Sequence, residues 1–249
     1  MFFFLSFLLG CIWGSFSNVC IHRIPIEKSV IYSRSFCPNC KKTIKWFDNI
    51  PLISFLILKA KCRDCHNKIS FEYFIVELIS ALSFTIIYYF YGISITSLLL
   101  VILSIFFIII FFIDLHHFII PDQLTYPLMV IGFAKSFHQI DNFFLFPNYI
   151  NSLIGGISGY FIIWLIIFLY KKIRNKEGMG LGDAKLLAAI GFWFGWISLP
   201  FILFFSSFIA LMATLPSLIK KRKNLSSQIP FGPFIVLGVI MYIITRYLI

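Results

Sequence analysis

Two aspartates stand where an apolar chain should not tolerate them. Asp114 ends a run of large hydrophobics, Phe111-Phe112-Ile113-Asp114-Leu115-His116-His117, and Asp183 opens another, after Gly180-Leu181-Gly182. Ionisable groups at the edge of a bilayer core are costly, so each marks a candidate functional site. Two carboxylates that meet in a place of low dielectric cannot both ionise easily, and they come to share a proton. The ionised member can activate water as a general base. The protonated member can polarise a scissile carbonyl and later protonate the leaving amine. That is the chemistry of an aspartyl protease, and it needs no covalent intermediate. No serine or cysteine nucleophile motif competes with it.

A second constellation is made of sulfur. Cys37-Pro38-Asn39-Cys40 and Cys62-Arg63-Asp64-Cys65 are two Cys-x-x-Cys knuckles separated by 21 residues. This spacing suits tetrahedral thiolate coordination of zinc. Lys41, Lys42, Lys61 and Arg63 favour thiolate formation. With all four positions filled by sulfur no coordination site stays open, so the zinc is expected to be structural. A loop of roughly 50 residues is too small to build a sizeable core, and a metal staple compensates. His66 follows the second knuckle and is an alternative ligand or a solvated loop histidine. Cys11 and Cys20 lie in or beside the first apolar run and are read as packing residues.

The elements that must hold these groups are membrane helices. Of 249 residues, 60% are hydrophobic and 12% charged, against about 25% charged in a soluble domain. Segments of about 20 apolar residues are expected near 1–22, 72–92, 95–114, 122–139, 149–170, 183–199, 200–219 and 231–248. The fourth is diluted by Lys135 and His138. The sixth and seventh abut at Pro200, as one hairpin or one broken helix. The fold class is therefore an all-α polytopic membrane protein of about eight transmembrane helices, with a small zinc-binding cytoplasmic domain between the first and second. The first segment lacks a basic n-region and is read as a retained span.

The net charge of +11 is not distributed as a nucleic-acid surface. Lys and Arg gather at Arg23 to Lys68, Lys171 to Lys176 and Lys220 to Lys223, each beside an apolar run. Such clusters mark cytoplasmic loops and attract an anionic inner leaflet. With the N-terminus outside and eight spans, all three fall on the cytoplasmic side. Asp114 and Asp183 then share that face, a condition for a dyad that comes from loop charge alone.

Local signals refine the assignment. Glycines 180 and 182 let the backbone approach a substrate or helix closely and allow a helix to begin sharply at Asp183, where an acid also suits a helix N-terminus. Pro121 ends one helix before the next begins, and Asp122 is a candidate cap for it. Asp114 sits at a helix C-terminus, where the dipole opposes an anion. A group placed against its local electrostatics is the better catalytic candidate, so Asp114 is preferred over Asp122.

At this point the residues resemble the type IV prepilin peptidase family, membrane aspartyl proteases of the Gly-x-Gly-Asp type. The resemblance is carried by Gly14 to Pro25, Ser33 to Cys40, Trp46-Phe47-Asp48-Asn49-Ile50-Pro51, Cys62 and Cys65, Tyr73 to Glu77, Ile113-Asp114, Ile120 to Thr125, Gly178 to Leu187 and Ile229-Pro230-Phe231-Gly232-Pro233-Phe234. Phe36 and Tyr126 depart from its usual pattern. The resemblance implies Asp114 and Asp183 as the catalytic pair, supported by Gly180, Gly182, Asp122 and Lys185. It implies cleavage of type IV prepilins or pseudopilins after the glycine of a short basic leader, at the cytoplasmic face of a bacterial inner membrane. It also implies methylation of the new N-terminus from S-adenosylmethionine, associated with the loop at about 14–77. Asp48, Asn49 and Glu77 are polar positions there, equally explained by structural hydrogen bonds. The expected division is a first helix at 1–22, a zinc-binding loop domain at 23–71 and a peptidase domain at 72–249. The rival readings are a proton- or cation-coupled transporter using the same two aspartates, and an assembly scaffold whose zinc loop docks partners.

Overall fold

The computed structural model describes residues 1–32, 34–137, 145–174, 180–219 and 229–248. Expectations that rest on Ser33, His138, Lys176, Gly178, Met179 and Lys220 to Lys223 fall outside the described residues. Among the described residues the regular structure is helical, apart from two isolated β-bridges. The helices are α1 (Phe2–Arg23), α2 (Ile53–Ile57), α3 (Phe71–Tyr91), α4 (Ile95–His117), α5 (Asp122–Ala134), α6 (Tyr149–Arg174), α7 (Leu181–Phe194), α8 (Ser198–Ile219) and α9 (Gly232–Leu248).

Each of the eight expected apolar segments overlaps an α-helix of its own. Five of them, α1, α3, α4, α6 and α8, are long and apolar enough to cross a membrane. The other three are shorter, at 13 residues for α5, 14 for α7 and 17 for α9. The chain is an all-α, multi-pass membrane protein. The sixth and seventh segments do not meet at Pro200. α7 stops at Phe194 because Gly195 takes a positive φ of 78°, and Pro200 lies in the first turn of α8, where its missing N–H has no helical partner to lose.

The chain forms two compact units, Met1–Ile109 and Ile110–Ile249. In the first, α1 packs along α3. The contact is a small-residue seam: a Cβ at Gly10 would lie 2.6 Å from the Ala81 Cα, and one at Gly14 would lie 2.7 Å from the Glu77 Cα. Glycines four apart on one helix face let two backbones approach this closely.

In the second unit α7 is the central helix. Ten of its fourteen residues are buried, the signature of a helix surrounded on every side. α5 and α6 pack on it, and α8 pairs with α9. The tightest crossing joins α6 to α7, where a Cβ on Gly155 would strike the Gly191 carbonyl oxygen and a Cβ on Gly191 would strike that of Gly155. Lys135, which dilutes the fourth segment in sequence, is buried just after α5 and donates from Nζ to the Trp193 carbonyl at 2.7 Å. Its ammonium also lies 3.8 Å from the centroid of the Phe146 ring. A cation at the C-terminal end of α7 complements that helix's dipole, and the aromatic face adds a cation–π contact.

The α6–α7 crossing sets a stability test. Gly191→Leu should destabilise the protein by about 3 kcal/mol or more, since neither facing backbone can retreat. Gly180→Ala, at ordinary extended dihedrals and with nothing nearer than 3.8 Å to its Cβ position, should cost less than about 1 kcal/mol. Thermal unfolding of both variants in detergent checks the contrast, and equal losses would contradict the crossing.

Candidate active site and metal centre

Asp114 lies in the last turn of α4 and is 4% exposed; Asp183 lies in the first turn of α7 and is 8% exposed. α4 closes with the Phe118 N–H donating to the Asp114 carbonyl at 3.0 Å, and Phe118 adopts a positive φ of 57°. That conformation is strained for a bulky residue. It turns the chain into the linker that ends at Pro121, the residue before α5.

The Asp114 carboxylate is held from another helix. Its Oδ2 accepts the backbone N–H of Gly232, the first residue of α9, at 2.9 Å. A Cβ at position 232 would lie 2.8 Å from that same oxygen, so only glycine permits the approach. The N-terminal end of a helix carries free N–H groups and partial positive charge. Asp114 therefore receives from α9 the compensation that its own helix C-terminus denies it.

Asp183 is seated differently. α7 begins at Leu181 with Gly180 preceding it, two residues earlier than the sharp start expected at Asp183, because Leu181 and Gly182 are already helical. The Asp183 N–H donates to the Gly180 carbonyl at 3.2 Å. Gly182 faces the linker, where an added Cβ would lie 3.0 Å from the Ile120 Cβ. Gly180 has ordinary extended dihedrals, and a Cβ there would lie 3.9 Å from the Asp183 Oδ2. Its smallness leaves the approach to that carboxylate open.

Ile120 links the two aspartate seats. It meets Gly182 through its Cβ, and its Cδ1 lies 3.1 Å from the Cβ position of Gly232. Asp114 and Asp183 are within Coulombic reach of each other. Sequence reasoning had not assigned roles to Gly232 or Ile120. The signal was present in Pro230-Phe231-Gly232-Pro233, since a glycine between prolines at a helix start is a request for close approach.

Asp122 is not the helix cap it was expected to be. Pro121 occupies the cap position and no side chain caps α5, while Asp122 is the first helical residue. Its exposed carboxylate accepts from Lys185 Nζ at 2.6 Å. Lys185 also lies over the Tyr126 ring, 5.3 Å from its centroid. Asp122 and Lys185 thus tie the start of α5 to the start of α7, beside the buried pair.

The four knuckle cysteines of the first unit converge, with every sulfur within 4.8 Å of every other. The knuckles are built alike. The Cys37 N–H donates to the Lys42 carbonyl, and the Cys62 N–H donates to that of Asn67, both at 2.9 Å. Each is closed by one β-bridge, Phe36 with Thr43 and Lys61 with Lys68. The residue after each second cysteine, Lys41 or His66, takes a positive φ. His66 is therefore the turn residue of its knuckle and stands outside the sulfur cluster. The backbone N–H of Cys40 is the main influence that lowers the Cys37 thiol to about 7. Four thiols this close cannot all ionise unaided, and a divalent cation resolves the conflict by replacing their protons. Zinc fits the donor set, with no position left for a substrate.

Asp48 braces this centre. Arg63, inside the second knuckle, grips the Asp48 carboxylate with Nε at 2.8 Å and a terminal nitrogen at 2.6 Å. The guanidinium hydrogen bond holds the Asp48 carboxyl below its ordinary range. Lys42 pairs with Asp64 at 3.1 Å, joining the two knuckles.

Comparison with known proteins gives the family. A family model described as Bacterial Peptidase A24 N-terminal domain matches residues 8–91, and one described as Type IV leader peptidase family matches residues 101–215. The chain is 34% identical to a prepilin leader peptidase/N-methyltransferase of Aeromonas salmonicida, an alignment covering 96% of this chain and 89% of that protein. It is 33% identical to the protein of that name from Neisseria gonorrhoeae, covering 92% and 85%. The one from Pseudomonas aeruginosa is 31% identical, covering 94% and 87%. No solved structure matches the chain. The chain belongs to the type IV leader peptidase family, and the transporter reading of its aspartates is not favoured.

The four-cysteine cluster makes a direct prediction. Purified protein should carry about one zinc per chain by atomic absorption, and replacing Cys37 and Cys40 by Ser should release it. The doubly substituted loop should become protease-sensitive while some peptidase activity remains. Full metal content in that variant would exclude the four-thiolate site.

Proposed function

We propose that this protein is a bifunctional prepilin leader peptidase and N-methyltransferase. It cleaves the basic leader of type IV prepilins or pseudopilins after its glycine, then methylates the new N-terminus with S-adenosylmethionine. The carrying observation is that two buried carboxylates, from α4 and α7, are seated around one linker residue, Ile120. Asp114 and Asp183 form the catalytic pair. One, ionised, removes a proton from water, whose oxygen attacks the scissile carbonyl carbon. The other, protonated, hydrogen-bonds the carbonyl oxygen, and the C–N bond then breaks as the amine takes up a proton. Gly180 keeps the approach to Asp183 open, and Gly182 admits Ile120 beside it. Asp122 and Lys185 fix the ends of α5 and α7.

The site faces the cytoplasm of a bacterial inner membrane in this reading. Support comes from the basic clusters beside the apolar segments, which the positive-inside tendency assigns to that side. The substrate's apolar helix then lies in the bilayer, and its positive leader stays among anionic headgroups. The region at about 14–77, whose loop domain at 23–71 would hold structural zinc, serves methyl transfer, and the membrane-embedded remainder serves proteolysis. The names and coverage of the relatives support both activities.

Asp183→Asn or Asp114→Asn should lower cleavage of a synthetic prepilin about a thousandfold with zinc content and membrane insertion preserved. Asp122→Asn, which breaks only an exposed ion pair, should leave cleavage within about tenfold of wild type. Product masses check all three. Undiminished cleavage by Asp183→Asn would remove the dyad, and a collapse confined to Asp122→Asn would replace Asp114 in it.

A further inference from the structure

One carboxylate of the first unit has no counter-charge. Glu77 sits in the second turn of α3, on the seam against α1. Its Oε2 accepts the backbone N–H of Leu52 at 2.8 Å, and the Ser15 hydroxyl reaches the same carboxylate. No Lys or Arg among the described residues pairs with it. Leu52 offers its N–H from a positive φ of 59°, a conformation costly for leucine. The turn that imposes it is fixed by Ser54, which accepts from the Ile50 N–H at 3.1 Å and donates to the Phe47 carbonyl at 2.9 Å.

A second orphan lies on the same seam. Asn18, three residues along α1 from Ser15, is 3% exposed and donates from Nδ2 to the Tyr73 carbonyl at 3.0 Å. Its Oδ1 has no hydrogen-bond partner. A buried acceptor without a donor is expensive, and an unpaired carboxylate in an apolar helix more so. Tethering Leu52 would need only an amide at position 77, so the charge is unexplained by structure. Asn18 meets α3 at Tyr73, one turn before Glu77, so two acceptors lie about one turn apart on the seam, and among the described residues no Lys or Arg forms a salt bridge with Glu77.

We propose that Glu77 and Asn18 receive the substrate's newly formed N-terminal ammonium and that Glu77 is the base for its methylation. This rests on the methyl-transfer half of the function proposed above. The ammonium gives one proton to the Glu77 carboxylate. The freed nitrogen lone pair attacks the methyl carbon of a sulfonium donor, the C–N bond forms as the C–S bond breaks, and the electron pair leaves on sulfur as a neutral thioether. The product is a methylated ammonium, and Glu77 returns its proton to water. Other titratable groups around the seam are Cys11 on α1, Tyr73 one turn away on α3, and His22, whose ring stacks on Tyr73 with centroids 4.8 Å apart. On the segment that carries Leu52, Asp48 is already paired with Arg63.

The test is Glu77→Gln in the full chain, which keeps an acceptor for Leu52 and removes the charge. A synthetic prepilin and S-adenosylmethionine are supplied, and cleaved and methylated products are weighed at pH 7 and pH 9. Cleavage should persist. The methylated fraction should fall about tenfold at pH 7 and largely recover by pH 9, because a free α-amino group, with a pKa near 8, goes from roughly one-tenth to nine-tenths deprotonated without help. Glu77→Asp, keeping the charge, should methylate better than Glu77→Gln at pH 7. Wild-type methylation by Glu77→Gln, a deficit that does not change with pH, or a joint loss of cleavage and methylation would each overturn the proposal, the last by making Glu77 a prop of the fold. A wild-type chain that cleaves without ever methylating would instead refute the methyl-transfer reading itself.

Discussion

The second unit depends on a single backbone-to-carboxylate contact. Asp114 ends a helix whose dipole repels it, and the Gly232 N–H at the start of α9 supplies what is missing. That donor can reach only if position 232 has no side chain. It also requires the chain after Asp114 to turn away at once, which Phe118 achieves in a conformation that leucine-sized residues avoid. Ile120 then fills the gap between the starts of α7 and α9, and Gly182 must be small to admit it. One buried charge thus accounts for a glycine on each of two helices, a strained turn and an apolar wedge.

The first unit solves another problem, that of shaping a short polar loop with almost no core. Its two knuckles are near copies, each with a cysteine N–H turned to a carbonyl five residues on and a left-handed residue after the second cysteine. The Asp48–Arg63 fork joins the second knuckle to the turn that precedes α2. Since Ser54 and Leu52 belong to the same stretch, the loop that carries the cysteine knuckles also sets the backbone that meets Glu77.

Much of this was legible in the chain because the signals were large. Apolar runs near 20 residues gave the helices, and Cys-x-x-Cys pairs gave the sulfur cluster, since both are local patterns. The boundary errors came from weaker punctuation. Pro200 looked like a break, but proline is tolerated in a helix's first turn, and Gly195 ended α7 instead. Asp122 resembled a cap because caps favour short acids, yet its carboxylate had a stronger claimant in Lys185, 63 residues away. No local pattern reveals such a partner. Lys135 seemed to weaken a span, whereas its charge is spent on the end of α7 and on an aromatic face. The glycine seams of α1 and α6 were equally present in sequence, but their meaning depends on which helix lies opposite.

The three helices too short for an ordinary span have a common feature: α5, α7 and α9 all begin at the aspartate site. Asp122 and Lys185 tie the first turns of α5 and α7, and Gly232 opens α9 on Asp114. At 1.5 Å per residue, the 14 residues of α7 cover about 21 Å, against a hydrocarbon core of about 30 Å. A bilayer around such helices must thin, or water must enter at their ends. The proposed hydrolysis needs water where lipid would exclude it, and short helices offer a route for water to the carboxylates without a pore. Their converging N-termini also gather partial positive charge around two acids, which favours negative charge there. Length and polarity of the helices, more than any single side chain, make a membrane interior habitable for this chemistry.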